Sequence, residues 1–305
     1  MQNSIYEFMH VGTVHFKAFP QCTLGTGPIV ETIRKIAEDS FFTAIEVGWI
    51  KDIKVRAEAA KVLESSHLVV AYGCQPALFS QKLNLNALEP KERQRAVNQV
   101  KNCIREAYQL GAKQIRVAAG KDPGPGQREE AKKLLVDSLH QVLEYAKEFG
   151  SPDITLKVFD RDIDKESLIG PVDDVLEIAK VLCPEYENFG LLYDLSHFPL
   201  LREDPQAVIP RVKQYLKSVH IGNCLVRDRK DIRWGDLQPR FGIPEGEIGV
   251  EEVAEYFRLL VQEGFLNRQD RPIVSAEVRP LLEYETSEVV LASTKRVIQQ
   301  AWALA

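Results

Sequence analysis

Glu46, Asp194, His220 and Glu277 each lie near the end of a short run rich in Val, Ile and Leu: AIEVGW, GLLYDLSH, SVHIGN and IVSAEVRP. In an extended chain successive side chains face opposite sides. Leu191 and Tyr193 then face one way and Asp194 the other. His220 opposes Val219 and Ile221, Glu277 opposes Ala276, and Glu46 opposes Ile45 and Val47. A carboxylate on a covered face is costly unless it is paired, hydrogen-bonded or bound to a cation. Carboxylates held in that way can move protons, and Glu277 is the leading candidate acid/base. Asp160, Lys157 and Glu46 are the candidates for its catalytic partner.

Lys157 shares this face. A salt bridge to Glu277 or Asp194 is its plainer role, and a desolvated amine acting as base or Schiff-base former is the sharper one. His15, Gln75, Arg116, His197 and Arg279 close or follow similar runs. Arg116 and Arg279 suit a hydroxyl or phosphate of a substrate, or a structural pairing with the carboxylates. His197 and Glu46 are further candidates for substrate contact. His15 either lines the same pocket or packs as a ring between Val14 and Phe16.

Eight apolar runs position these residues: 8–16, 43–49, 67–73, 114–120, 154–160, 189–197, 216–223 and 272–280. Continuous Val/Ile/Leu content is what parallel strands covered on both faces require. Between them, apolar residues recur at three- and four-residue spacing over 29–40, 52–65, 96–111, 129–150, 171–182, 250–264 and 286–304, predicting helices. Gly111 and Gly150 stand where a helix end favours a left-handed residue. Strands alternating with helices predict an α/β fold, a single (β/α)8 TIM barrel spanning 1–305, ahead of a doubly wound open sheet. In such a barrel, chemistry gathers at the C-terminal strand ends, where these polar residues lie.

Composition narrows the function classes. The 305 residues carry 39 Lys plus Arg against 44 Asp plus Glu, a formal net charge of −5, which argues against a partner held by phosphate neutralisation such as duplex DNA. No apolar run approaches the ~20 residues of a membrane-spanning helix, and the N-terminal MQNSIYEFMHVG lacks a signal-peptide layout. The expectation is a cytoplasmic protein without a membrane partner, with homo-oligomer formation left open. Five scattered cysteines with no C-x-x-C pair read as reduced structural thiols.

Taken in order, AIEVGW, the EPKERQRAVNQVKNCIREAYQLGAKQIRVAAG segment with Arg93 ahead of its helix, YDLSH, VHIGN, PEGEIGVEEV and AEVRP resemble the xylose-isomerase-like TIM-barrel superfamily. That group includes sugar isomerases, ketose 3-epimerases, inosose dehydratases and endonuclease-IV-type enzymes. The resemblance implies a divalent cation at the barrel mouth, held by Asp194, His220 and Glu277. An O,O,N set suits Mn2+, Mg2+ or Co2+, with Zn2+ as a further choice. Where the family carries a fifth-strand Glu ligand, this chain reads Leu156-Lys157-Val158-Phe159-Asp160. Phe159 aligns with the ligand, and Asp160 could serve only if the strand end shifts by one. An inward Lys157 would oppose a cation.

The function implied is a metal-dependent isomerase or epimerase acting on a sugar, sugar phosphate or inosose through an enediolate. A dehydratase or lyase shares that first step, and a metal-poor barrel binding a metabolite or partner is the non-catalytic alternative. An endonuclease-IV-type site would need further His ligands. Here the third strand ends in GCQP, the fourth in AAG, and no His follows His220. The charged loop 227–240 is either solvated or lids the site with Arg227 or Trp234.

Overall fold

Residues 3–305 are described in a computed structural model. Eight parallel strands close in sequence order into one barrel: β1 (His10–Val14), β2 (Ala44–Val47), β3 (Val69–Gly73), β4 (Gln114–Ala118), β5 (Asp153–Lys157), β6 (Phe189–Asp194), β7 (Leu216–Gly222) and β8 (Ile273–Glu277). A covering helix follows each strand: α1 (Ile29–Ala37), α2 (Ile53–Ser66), α3 (Pro90–Gln109), α4 (Arg128–Ala146), α5 (Val172–Leu182), α6 (Pro205–Val212), α7 (Val250–Gln262) and α8 (Ser287–Leu304). The fold is the expected (β/α)8 barrel.

Local chemistry explains the helix limits. In α3, Pro90 occupies the first turn, where its missing N–H costs nothing, and the Glu89 side chain accepts from Glu92 N. Gly111 and Gly150 take positive φ, 73° and 80°, just past the ends of α3 and the turn that extends α4. Helix α6 has no counterpart among the seven helical stretches legible in the sequence. It is short and carries Pro210 inside, which removes a periodic signal and a donor. Asp204 starts it by accepting from Gln206 N.

The alternation of side chains follows the sequence reading. Ile45, Val47, Leu191, Tyr193, Val219, Ile221 and Ala276 join the large apolar layer between strands and helices, where burial supplies most of the fold's stabilisation. Inside the barrel a small cluster of Ala44, Ala71 and Ile273 fills the end where the strands begin. The other end is polar. Register places Asp194 opposite His220 and Gly222 opposite Glu277, so three neighbouring strands deliver their polar ends together.

After β7 the chain runs to α7 through a long loop pinned by Asn223. Its Nδ2 donates to Arg240 O (3.0 Å), while its Oδ1 accepts from Cys224 N (2.9 Å) and Ile248 N (2.8 Å).

Candidate active site

A cavity of about 360 Å³ opens at the C-terminal ends of the strands, with Glu46, Lys157 and Glu277 among its lining groups and Lys17, Lys165 and Arg279 also on its wall. Phe16, Pro76, Phe79 and Phe159 supply apolar wall. A larger cavity, about 760 Å³, lies at the opposite end, around His10, Val69, Lys113 and Arg271, and contains none of the residues above.

The polar cluster is one connected network. His220 lies 2.8 Å from Glu46 Oε2 through Nε2 and 2.8 Å from Glu277 Oε2 through Nδ1. Ionised carboxylates only accept, so both ring nitrogens donate and the ring is an imidazolium. Burial is the strongest influence and opposes that charge, as does Lys157, but the Glu46 and Glu277 carboxylates together raise the His220 pKa. Lys157 Nζ lies 2.5 Å from Glu277 Oε2, 3.1 Å from Asp194 Oδ2 and 3.4 Å from His220 Nδ1. Burial favours its neutral amine, yet the Glu277 and Asp194 charges hold the ammonium above the ordinary lysine range. Burial likewise works against ionised Glu277, and Lys157 and Lys17 hold its carboxyl well below the usual range. Lys17 Nζ reaches the other oxygen, Oε1, at 2.9 Å.

Beneath these groups Arg116, with no exposed surface, places Nε 3.0 Å from Glu46 Oε2 and donates through Nη2 to Ser218 Oγ at 2.8 Å. Glu46 Oε1 is buried and has no hydrogen-bond partner. That carboxylate therefore keeps one oxygen uncommitted.

Several expected site residues are placed elsewhere. His15 does not face the cavity. The one-turn helix His15–Ala18 begins where β1 ends, and the His15 ring sits with Nε2 2.7 Å from Thr32 Oγ1 of α1 and beside Phe19. Asp160 is buried and accepts from the backbone N–H of Ile163, Asp164 and Lys165, so it shapes the loop after β5 rather than serving as an acid/base. Arg116 lies below the cavity and supports Glu46 instead of meeting a ligand. His197 is packed edge-on against Phe159, with ring centroids 4.9 Å apart, and is absent from the cavity wall.

The sequence reading missed Lys17, Lys165, Asp236 and Gln238. From the long loop after β7, Gln238 Nε2 donates to Ser196 Oγ (2.9 Å) and Asp236 Oδ1 (2.6 Å), while Lys165 pairs with Asp236. Arg227 instead pairs with Glu247 and Trp234 stacks on Arg229, so neither lids the site. Within a charge-rich loop the turning points that aim particular residues inward leave no periodic mark.

Asp194, His220 and Glu277 do converge, each offering one donor atom, with all three within 4.8 Å of one another. They fit a divalent cation in donor type but not in state. The space they share is taken by the Lys157 ammonium, and each His220 nitrogen is already engaged by a carboxylate. Phe159, where the resemblance places a carboxylate ligand, turns its ring toward that ammonium, 5.0 Å from the centroid.

The family model of the xylose isomerase-like TIM barrel matches residues 34–285, and the chain belongs to that family. No curated protein matches the sequence. Among solved structures, a D-tagatose 3-epimerase-like protein superposes with a TM-score of 0.73 at 17% identity, covering 97% of this chain and 98% of its own. The IOLI protein with a bound zinc atom gives 0.68 at 16%, covering 97% and 99%. An AP endonuclease, family 2, from Brucella melitensis gives 0.69 at 17%, covering 93% and 97%. Identities this low speak for the fold alone. Among the described residues no helix is long and apolar enough to cross a membrane.

Proposed function

We propose that the barrel mouth binds a small polyhydroxylated carbonyl compound, a sugar, sugar phosphate or inosose, and isomerises or epimerises it through an enediolate. The observation that carries this reading is the Glu46–His220–Glu277 chain, two carboxylates on one cavity bridged by an imidazolium at 2.8 Å on each side. Glu46 Oε1 takes the proton from the carbon next to the carbonyl. The C–H electron pair moves into the new C=C bond, and the carbonyl π pair moves onto its oxygen, beside the Lys157 ammonium. The His220 imidazolium can pass its Nδ1 proton to Glu277, which delivers it to a neighbouring carbon or to the opposite face; Glu46 then releases the proton it took to solvent and Nδ1 takes one back, which restores the starting state. Arg279, exposed on the cavity wall and without an ion-pair partner among the described residues, suits an anionic substituent of the substrate. The 3-epimerase-like structural relative supports the substrate class.

The test is solvent-deuterium incorporation. A panel of ketoses, inososes and their phosphates is incubated with the protein in D2O and followed by proton NMR. Exchange at the carbon next to the carbonyl is expected for at least one compound, with Glu46→Gln and Glu277→Gln each slower by about 10²- to 10⁴-fold. Absence of exchange and of binding across the panel overturns the reading. Incision of abasic-site DNA is not expected, given the missing His ligands and the net charge of −5.

A further inference from the structure

We infer that the side-chain ammonium of Lys157 permanently takes the position of the divalent cation in this barrel, so that the Asp194–His220–Glu277 site is complete without a metal. The inference deepens the proposed reaction by naming its electrophile, and it rests on that reading only for the catalytic use of the charge. Its structural part stands on three observations.

The first is occupancy. Lys157 Nζ is within 3.4 Å of a donor atom on each of the three residues that would ligate an ion. A cation among those atoms would meet the ammonium at contact distance, and Lys157 has almost no exposed surface through which to leave (side-chain exposure 2%).

The second is charge. The carboxylates of Glu46, Asp194 and Glu277 are matched by Arg116, Lys157 and Lys17. Lys157 grips one oxygen of Glu277 and Lys17 the other, so two single charges stand where one double charge would. The His220 imidazolium adds one positive charge to this set, and a divalent ion that displaced its ring proton would raise the excess to two, an unfavourable state for buried groups.

The third is the fifth strand. Thr155, Lys157 and Phe159 share one side of the strand and its extension, so the carboxylate expected at Phe159 is replaced by a ring that faces the ammonium. The substitution removes a ligand and supplies a cation–π contact for its replacement.

Metal binding is measured on purified protein with no sugar present, so its outcome is independent of whether the panel contains a substrate. Equilibrium dialysis and calorimetry with Mn2+, Co2+ and Zn2+ should show no uptake by wild type that His220→Ala abolishes, and wild-type melting should not shift with any of the three. Lys157→Met and Lys157→Gln, which free the donors, should each gain about one equivalent that a second change, His220→Ala, removes. Wild-type uptake of about one equivalent, lost in His220→Ala, overturns the inference. Folded Lys157 variants that stay metal-free also overturn it, because something other than the ammonium would then exclude the ion. If the lysine variants do not fold, the wild-type measurements alone decide.

Discussion

His15 and His220 occupy nearly the same local sequence, Val14-His15-Phe16 and Val219-His220-Ile221, and both are buried, at 2% and 1% exposure. Their electrostatic states are opposite. His15 lies between barrel and helix with one hydroxyl partner, and burial pushes its pKa down to about 3, so it is neutral. His220 lies inside the barrel between two carboxylates and is charged. Burial is common to both and cannot explain the difference. What separates them is one peptide unit of geometry: β1 ends at Val14 and turns into a helix at His15, whereas β7 continues through His220 to Gly222. A histidine's charge here is set by whether the strand is still extended when the residue is reached.

The contrast can be broken most strongly from below the mouth. Arg116→Met removes a cation from beside Glu46 in a region with no exposed surface, and should cost about 3–5 kcal/mol in urea denaturation. A loss under about 1 kcal/mol would mean that water reaches Glu46 and that the interior resembles an exposed pair.

The two histidines should next separate by pH. His15 has a folded pKa of about 3 against an unfolded value of about 6.5. The unfolded chain therefore binds the proton first, and the contribution of His15 is fully present above about pH 6.5 and lost as pH falls. Relative to His15→Asn, wild type should lose about 2 kcal/mol between pH 7 and 5. His220 has the opposite sign. Its folded pKa is raised, so its contribution is fully present below the unfolded value and is lost as pH rises through the folded one. Relative to His220→Gln, wild type should weaken toward alkaline pH. Parallel pH profiles for the two substitutions would remove the distinction.

The smallest effect sharpens the neutral side. Thr32→Val deletes the hydroxyl at His15 Nε2 while leaving the mouth intact, and should cost about 1 kcal/mol in thermal or chemical denaturation with no change in deuterium exchange.

The barrel and its polar mouth were legible because both depend on alternation, which the sequence carries residue by residue. Glu46, Lys157, Asp194, His220 and Glu277 sit inside parallel strands, and each is read by its parity against apolar neighbours such as Ile45, Leu156, Tyr193, Val219 and Ala276. His15 and Asp160 failed because each lies one or more residues past a strand end, where alternation no longer fixes direction. Lys17 was hidden for the same reason, as the helical turn after β1 carries it back over Glu277. Asp236 and Gln238 come from a loop whose inward turn depends on Asn223 and Ser196, contacts distant in sequence.

Asn223 has a further effect on the loop between β7 and α7. By fastening Arg240 and Ile248 to the end of β7, it subdivides a long span into short closed segments. The entropy of closing such a span grows only slowly with length, but the freedom left to an unpinned span would have to be surrendered each time a ligand arrived. Here the ordering is completed during folding. The loop that buries Asp236 and Gln238 behind the mouth is thus already at rest when a molecule arrives, and binding energy remains for contacts with the molecule itself.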